Sequence, residues 1–287
     1  MSNMVSFCFD DALASAMNNG YEILESYGAK GTIAVCLRWL ENKGKGRRIS
    51  YQDLYNLQLK GWEIASHSCN HVKLSLLPST YDKEPVSNFE IIQRRPFLKV
   101  SYKVPKIASV LIDDKHLHRI SKSKNLNRID SFMLDTKNEQ LCIFANEDDI
   151  TKYRIGSAQR EIESSYTQLT SLGFNVESFI APNNDWPEYL HSIALKHYKY
   201  AAAGQTKSKY NSSALKWNYF RTLNKMNLAR FPLRWQTPAQ QYIKQLEEIF
   251  YSNNVLVIFC VHDIFPPDVE KSNYMAYPTD EFEKLVS

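Results

Sequence analysis

The chain has 287 residues, a formal net charge of +4 and 44% hydrophobic residues. A chain of this length and composition buries an ordinary globular core, which excludes a disordered or fibrous protein. The longest apolar runs, such as VLVIFCV at 255–261, are much shorter than the roughly 20 residues of a membrane-spanning helix, so no membrane span is predicted.

The five cysteines are scattered, and most of them lie within apolar runs. This usage is typical of buried free thiols in a reducing compartment. The sequence contains no CxxC pair, which disfavours a thiolate zinc site. An acidic pair already occurs at Asp10 and Asp11, so a secretory leader has no room. We therefore expect a cytoplasmic protein.

The first 66 residues alternate between strands and helices. Short apolar runs at 5–9, 32–37 and 62–66 predict three strands. A helix follows the first strand and ends near Gly28, and a second helix is predicted over 50–61. Such alternation indicates βαβ units, and therefore a parallel sheet or barrel with its functional groups at the carboxyl ends of the strands.

The segment from 80 to 150 has a different pattern. The runs FLKVSYKV and SVLIDD alternate as strands do, and LDTKNEQLCIFAN predicts a hairpin. We therefore assign residues 1–79 and 151–287 to one α/β domain, and 80–150 to a β-rich insertion.

Helices and strands alternate again after the insertion. Helices are predicted over 157–172, 186–199 and 238–252, and strands over 175–181 and 255–261. The final residues, DEFEKLVS, predict a helix that has only just begun. This suggests either that the natural protein continues or that the barrel is left open.

Two groups of polar residues follow predicted strands. His67 and His71 are four residues apart, so on a helical turn both imidazoles project from one face and can share a cation. The alternative is a pair of polar loop histidines.

Asp10 and Asp11 follow the first strand, where one carboxylate can ligate a metal while the other faces the attacking water. The alternative is an aspartate that caps the first helix.

The combination is more specific than either part. FDD follows the first strand, GWEIASHSCNH spans the third, FIAPN follows at 179–183, and LVIFCVHD ends a late strand. This order resembles the polysaccharide deacetylases, the NodB-like carbohydrate esterases, over residues 5–77, 157–187 and 228–263. The resemblance implies a distorted (β/α) barrel that removes N-acetyl groups from amino sugars.

The resemblance also implies a role for each matched residue. Asp11, His67 and His71 would hold one divalent cation, Asp10 would be the general base, and His262 would be the general acid on the opposite side of the substrate. Zinc is the expected cation because imidazole and carboxylate suit it, although iron, cobalt or nickel would accept the same ligands.

The third of these motifs, FIAPN at 179–183, departs from the family pattern at two positions. Ile180 stands where many members have an arginine that orients the base. Arg230, which resembles an arginine that members place before a later strand, is our candidate substitute, and a surface arginine is the alternative. Asn183 follows Pro182 where the family has an aromatic residue, and the family forms its oxyanion hole with a backbone N–H at this position.

The missing aromatic residue leaves the sugar-stacking position open. Trp186 or Trp235 is the candidate for this contact, and a core tryptophan is the alternative.

Positive charge is concentrated in two segments. Residues 189–246 contain ten Lys and Arg and no acidic residue, and 94–128 contain ten basic residues and two acidic ones. This bias favours an anionic ligand, such as a nucleotide- or lipid-phosphate-linked amino sugar in surface glycan synthesis, although a solvated surface is the alternative. Other hypotheses are hydrolysis of a small non-sugar amide, and a catalytically silent glycan- or nucleic-acid-binding protein. No nucleic-acid-binding motif supports the last of these.

Overall fold

The computed structural model describes residues 3–41, 48–71, 73–76, 158–204, 217–251, 254–266 and 276–287, together with the strands between 89 and 155. Two compact units are present. The first comprises Met1–His71, Ser164–Trp186 and His191–Ser287, and the second comprises Val72–Glu163 and Pro187–Leu190. The boundaries placed at 79/80 and 150/151 stay a prediction.

The elements are numbered in chain order. The strands are β1 (Met4–Phe9), β2 (Thr32–Val35), β3 (Glu63–Ser66), β4 (Phe89–Ile92), β5 (Arg95–Ser101), β6 (Ser109–Ile112), β7 (His116–Arg119), β8 (Phe132–Asp135), β9 (Gln140–Phe144), β10 (Tyr153–Ile155), β11 (Ser178–Ile180), β12 (Tyr200–Gly204), β13 (Asn218–Tyr219), β14 (Leu228–Pro232), β15 (Val255–Val261), β16 (Asp263–Phe265) and β17 (Ala276–Pro278). The α-helices are α1 (Glu22–Ser26), α2 (Leu37–Glu41), α3 (Tyr51–Leu59), α4 (Ala158–Ser171), α5 (His191–Ala194), α6 (Ala239–Phe250) and α7 (Thr279–Val286).

The first unit is built on a closed barrel of seven parallel strands. The strands pair in the order β1, β2, β3, β11, β12, β14 and β15, and β15 pairs back with β1 from Met4↔Leu256 to Phe9↔Val261. The distorted (β/α) barrel predicted from the sequence is therefore confirmed. The alternative of an open barrel is wrong, because β1 and β15 close the sheet.

One side chain from each barrel strand forms the interior cluster. Three of the seven are alanines, and such small side chains allow the strands to approach across the interior. The cluster consists of Cys8, Ala34, Ala65, Ile180, Ala202, Leu228 and Ile258. Because side chains alternate between the two faces of a strand, the residues two positions further along also point inward. These positions include Asp10, His67 and Arg230.

Most of the predicted elements of this unit are confirmed, with shifts at their ends. Ser50 caps α3, because its hydroxyl accepts a hydrogen bond from the Asp53 N–H. The helix predicted over 186–199 is wrong for most of its length, since only α5 and a 3₁₀ turn at Glu188–Leu190 form. The chain turns away to enter β12, where the Lys199 N–H donates to the Glu177 carbonyl at 2.8 Å.

The second unit contains two antiparallel sheets. One has the order β4, β5, β9, β8, and the other has the order β10, β6, β7. The predicted hairpin is confirmed, because β8 and β9 pair from Phe132↔Ile143 to Asp135↔Gln140. Its turn, at 136–139, lies outside the described residues. Within the described chain we find no helix with the length and apolar character needed to cross a bilayer.

Candidate active site

The candidate site lies in three loops at the carboxyl ends of β1, β3 and β11. Six of the seven non-glycine residues with positive φ in the described chain belong to these loops. Positive φ is unfavourable for most residues, and such conformations cluster at functional sites. The six residues are Asp11, Ala12, Ser68, His71, Asn183 and Asn184.

Asp11, His67 and His71 converge on one point. Asp11 Oδ1 lies 3.5 Å from His67 Nε2 and 3.3 Å from His71 Nε2. The three ligand atoms all lie within 4.8 Å of one another. Ligand atoms around a tetrahedral zinc ion are roughly 3.3 Å apart, given metal–nitrogen and metal–oxygen distances of about 2.0–2.1 Å. The spacing therefore suits a single divalent cation.

Two of these ligand atoms are buried without a partner. Asp11 Oδ1 and His67 Nε2 are inaccessible to water and make no hydrogen bond within the described part of the chain. His67 Nδ1 lies 2.7 Å from the Ile180 carbonyl, so it carries the ring proton and leaves the Nε2 lone pair available. Buried polar atoms are rarely left unpaired, and a cation would satisfy both. The residues present therefore fit a metal ion.

Both histidines favour the neutral form that metal ligation requires. Burial lowers the pKa of His67 to about 4, although the carboxylate of Asp10 opposes this effect. Burial likewise lowers the pKa of His71 to about 4. At neutral pH, the contacts of these imidazoles with Asp11 are therefore not ion pairs.

Asp10 forms a buried ion pair with Arg230. Asp10 Oδ1 lies 2.6 Å from Arg230 Nη1, and the two residues are 3% and 2% exposed. Burial alone raises the pKa of Asp10, but the guanidinium charge outweighs this and holds the pKa well below its usual range. Arg230 lies within β14, whereas the resemblance placed it before a strand. It contacts Asp10 as the candidate substitute for the missing arginine would.

Three further residues that the sequence did not single out complete this cluster. Asn184 Oδ1 accepts hydrogen bonds from Arg230 Nη2 at 2.8 Å and from the Gly204 N–H at 2.7 Å. The thiol of Cys260 donates to Asp10 Oδ2 at 3.2 Å, and that of Cys8 donates to Asp10 Oδ1 at 3.4 Å.

The positions of Cys8 and Cys260 near the site could be inferred from the sequence. Burial raises the pKa of both Cys8 and Cys260 well above the usual value, so they remain protonated donors. Both are buried free thiols, as predicted. Strand alternation places Cys8 on the same face as Asp10, and Cys260 on the same face as His262, two residues further along.

His262 lies beside Asp10. His262 Nε2 is 4.0 Å from Asp10 Oδ2, and its side chain is 18% exposed. The two groups therefore lie next to each other. The arrangement in which acid and base face each other across the substrate stays a prediction.

The residues of the third motif have different environments. Pro182 is buried, and Asn183 is exposed with a φ of 56°. Trp186 is 8% exposed, and its Nε1–H donates to the Met226 carbonyl at 2.6 Å.

Aromatic rings contact the indole of Trp186. Its ring lies 5.0 Å from the ring of Phe179 and 5.6 Å from that of His191. These contacts support the alternative interpretation, a core tryptophan, and a sugar-stacking role of Trp186 stays a prediction. Trp235 is half-buried.

The structure describes only part of the basic segments. Lys207, Lys209 and Lys216 lie outside the described residues, as do the side chains of 94–128. Arg230 belongs to the buried ion pair and not to a surface that could attract anions.

Comparison with known proteins supports the resemblance over one part of the chain. Residues 1–97 match the family model described as Polysaccharide deacetylase. No curated protein matches the chain significantly.

Several solved structures are similar to this chain at low TM-scores. The deacetylase PplD from Streptococcus pyogenes, in complex with acetate, is 15% identical with a TM-score of 0.41, over 78% of this chain and 62% of that chain. A polysaccharide deacetylase from Bacillus cereus is 11% identical with a TM-score of 0.44, over 83% of this chain and 50% of that chain. A family 4 carbohydrate esterase from Streptomyces lividans, also in complex with acetate, is 9% identical with a TM-score of 0.44, over 98% and 85%.

The chain thus spans 62% and 50% of the first two structures. These identities and TM-scores are too low to support a functional inference. The family model carries the conclusion: the resemblance to the polysaccharide deacetylases is confirmed over residues 1–97, which include Asp10, Asp11, His67 and His71.

Proposed function

We propose that this protein is a metal-dependent hydrolase that removes the N-acetyl group from an amino sugar. One divalent cation would be held by Asp11, His67 and His71. The observation that carries this proposal is the pair of buried, unpartnered atoms Asp11 Oδ1 and His67 Nε2, 3.5 Å apart. The reaction class comes from the family match, which covers all three ligands.

A divalent cation at this centre would act as a Lewis acid that polarises the amide carbonyl. Two neutral imidazoles and one carboxylate form a three-ligand set, which is typical of catalytic zinc sites with an open position. Zinc is our first choice on the basis of these ligands.

Asp10 is the proposed general base. Its Oδ1 is held by Arg230, so Oδ2 is the oxygen that faces the histidines, 4.0 Å from the Nε2 atoms of both His67 and His262. The ion pair keeps the carboxylate ionised and fixes its orientation. It also makes Asp10 a weaker base than an ordinary aspartate, because its pKa is held low. The contribution of Asp10 therefore depends on its position as well as on its basicity.

His262 is the proposed general acid for the departing amine. It is partly exposed, so a substrate can reach its ring, and it lies next to the oxygen that would collect the proton of the attacking water. A proton taken up by Asp10 at one step and a proton released by His262 at the next therefore leave the charge of the site unchanged.

The nature of the carrier is the finer part of the proposal. We favour a nucleotide- or lipid-phosphate-linked amino sugar used in surface glycan synthesis, because residues 189–246 carry nine basic residues besides the buried Arg230 and no acidic residue. A small non-sugar amide is the competing substrate class, and direct assay separates the two.

The first experiment measures metal content and acetate release together. Purified protein is analysed by mass spectrometry for bound metals, and acetate is measured with N-acetylglucosamine oligomers, a nucleotide-linked N-acetylhexosamine and a small N-acetyl amide. We expect one metal equivalent, and release from a sugar that a chelator stops and zinc restores. Release from the small amide alone would contradict the sugar assignment, and release that survives complete metal removal would contradict the mechanism.

Variants then separate binding from chemistry. Asp10→Asn should keep the metal and lose acetate release by a factor of about 100 or more, since it cannot accept a proton. His67→Ala should lose both the metal and the activity. Asp280→Asn, which alters an exposed carboxylate in α7, is the matched control and should change neither. Wild-type metal content in His67→Ala would exclude this metal centre.

A further inference from the structure

Two side chains outside the ligand set contact the candidate metal ligands. They are Arg48, which lies just before α3, and Trp39, which lies in α2. We call them the outer pair. Both are partly buried, and neither belongs to the motifs on which the resemblance rests.

Arg48 contacts Asp11 at two points. Its Nη1 donates to the main-chain carbonyl of Asp11 and lies 3.9 Å from the side-chain atom Oδ2. The other oxygen, Oδ1, is the one that faces His67 and His71. Arg48 therefore lies on the side of the carboxylate that faces away from the two histidines and leaves Oδ1 as the oxygen that would hold a cation.

Trp39 connects Arg48 with the third ligand. The guanidinium of Arg48 lies 3.8 Å from the centre of the Trp39 ring, and the ring of His71 lies 5.0 Å from the same ring, tilted by 34°. His71 also lies 3.3 Å from Asp11, so Arg48, Asp11, His71 and Trp39 form a ring of contacts in which each side chain touches two others. Moving one member therefore disturbs two of the three ligands.

Backbone hydrogen bonds tie the segments of the outer pair to the ligand loops. The Arg38 N–H donates to the Cys69 carbonyl at 2.9 Å, and the Ile49 N–H donates to the Ala12 carbonyl at 2.9 Å. Both ligand loops contain residues with positive φ, namely Asp11 and His71. Such conformations persist only where the surroundings impose them, and the outer pair is part of those surroundings.

We propose that the outer pair positions Asp11 and His71 and thereby sets the affinity of the centre for its cation. This inference rests on the metal centre of the proposed function. Two effects of Arg48 have opposite signs: its positive charge opposes cation binding, whereas its contacts fix the ligand geometry. Groups that orient metal ligands typically change affinity about 10- to 100-fold, and we infer that the geometric effect is the larger.

The experiment measures metal affinity without any substrate. Metal-free wild type, Arg48→Ala, Arg48→Lys and Trp39→Leu are titrated with zinc against a chromophoric chelator, and the absorption spectrum of the Co²⁺-loaded proteins is recorded. We expect the zinc Kd of Arg48→Ala and of Trp39→Leu to rise about 10- to 100-fold, with an altered Co²⁺ spectrum. Arg48→Lys lacks the flat guanidinium but can still donate a hydrogen bond to the Asp11 carbonyl, so it keeps part of the ligand geometry and its Kd should rise by a smaller factor.

Matched variants test whether the effect is specific. Arg38→Gln removes an exposed positive charge from the same helix, and Trp217→Leu removes a partly exposed tryptophan elsewhere. Both should bind zinc with the wild-type Kd. The double variant Arg48→Ala/Trp39→Leu should lose less affinity than the two single losses combined, because the two side chains contact each other and position the same ligands.

The outcomes separate this inference from the proposed function. Zinc binding by Arg48→Ala that equals or exceeds wild type would overturn the inference, and it would leave the metal centre in place if His67→Ala still abolishes binding. Absence of zinc binding by the folded wild type would overturn both. If thermal unfolding shows that Arg48→Ala does not fold, Arg48→Lys and Trp39→Phe decide: unchanged Kd values in both would also overturn it.

Discussion

Two adjacent aspartates at the end of β1 have separate environments. Asp11, with a φ of 71°, directs its Oδ1 at the two imidazoles, while Asp10 is buried against Arg230. The left-handed backbone at Asp11 changes the direction of the chain immediately after the strand, so Asp11 faces both imidazoles while Asp10 Oδ1 pairs with Arg230. A sequence shows that two carboxylates are adjacent, but it does not show this division.

The histidines make stability depend on pH. Both have a folded-state pKa of about 4 against a usual value of 6.5, so the unfolded chain binds more protons between these values. The two histidines should therefore not reduce the free energy of unfolding of the metal-free protein above pH 6.5. They should reduce it as the pH drops from 6.5 towards 4, and cause no further decrease below pH 4. For the fully buried His67, the difference corresponds to about 3 kcal/mol.

Urea denaturation of the metal-free protein at several pH values between 7 and 4 checks this dependence. His67→Gln should lose about half of the decrease, because one of the two titrating rings is absent. Asp280→Asn should keep the wild-type slope. The same slope in His67→Gln and wild type would show that other groups titrate in this range.

At the scale of elements, the loop after β11 positions the base through contacts with two other strands. Asn184 in this loop accepts from Arg230 of β14 and from the backbone of Gly204, the last residue of β12. A Cβ atom at Gly204 would lie 2.6 Å from Asn184 Cγ, closer than atoms approach without displacement. A larger residue at this position therefore has to displace the Asn184 side chain.

Gly204→Ala should displace the Asn184 side chain and remove one acceptor from Arg230. We expect kcat for acetate release to fall about tenfold or more with unchanged KM and metal content, since the base is misplaced while the ligands are not. Asn184→Ala should cause a similar fall, and the double variant little more. A rise in KM alone, or loss of the metal, would argue against this role.

The opposite end of the barrel contains a hydrogen-bonded glutamate. Glu63, at the start of β3, accepts hydrogen bonds from Thr32 Oγ1 of β2 at 2.6 Å and from Ser178 Oγ of β11. The two donors are 9% and 8% exposed, so they have little access to water. Glu63 thus links three neighbouring strands.

Glu63→Leu should lower the free energy of unfolding by about 2–4 kcal/mol, because it leaves two buried hydroxyls without an acceptor. Glu63→Gln retains one acceptor oxygen and should lose less. Chemical denaturation measures both changes. Zinc binding should be unaffected, since Glu63 precedes His67 by about 13 Å along the strand. Loss of zinc by Glu63→Gln would contradict this separation.

At the scale of the whole molecule, closure of the barrel assembles the site. Parallel pairing of β1 with β15 brings Asp10 and Cys260 into contact, although they are 250 residues apart in the chain. The metal ligands come from the ends of β1 and β3, so the unfolded chain does not present them together. A bound cation should therefore stabilise the folded state.

Zinc at 100 times its Kd should add about 2.7 kcal/mol and raise the melting temperature of the metal-free protein by roughly 5–10 °C. Scanning calorimetry with zinc and then with excess chelator measures the gain and its reversal. Asp11→Ala should show no gain, and Asp280→Asn should show the full gain. An equal increase in Asp11→Ala would place the cation elsewhere.

The sequence alone determined the strand–helix alternation, the β-rich segment, the His67–His71 pair and the adjacent aspartates, because local periodicity and short motifs carry this information. The choice of Asp11 as a ligand and of Asp10 as the base, and of Arg230 as a candidate partner of the base, came only through the resemblance. Tertiary structure decided what depends on contacts between distant strands: the closure by β1 and β15, the core position of Trp186, and the contacts of Asn184, Cys8 and Cys260 near Asp10. Apart from the placement of Cys8 on the same face of β1 as Asp10, these features could not be predicted from the sequence. The side chains that meet in a barrel are separated by whole βα units, and no local pattern records which of them come into contact.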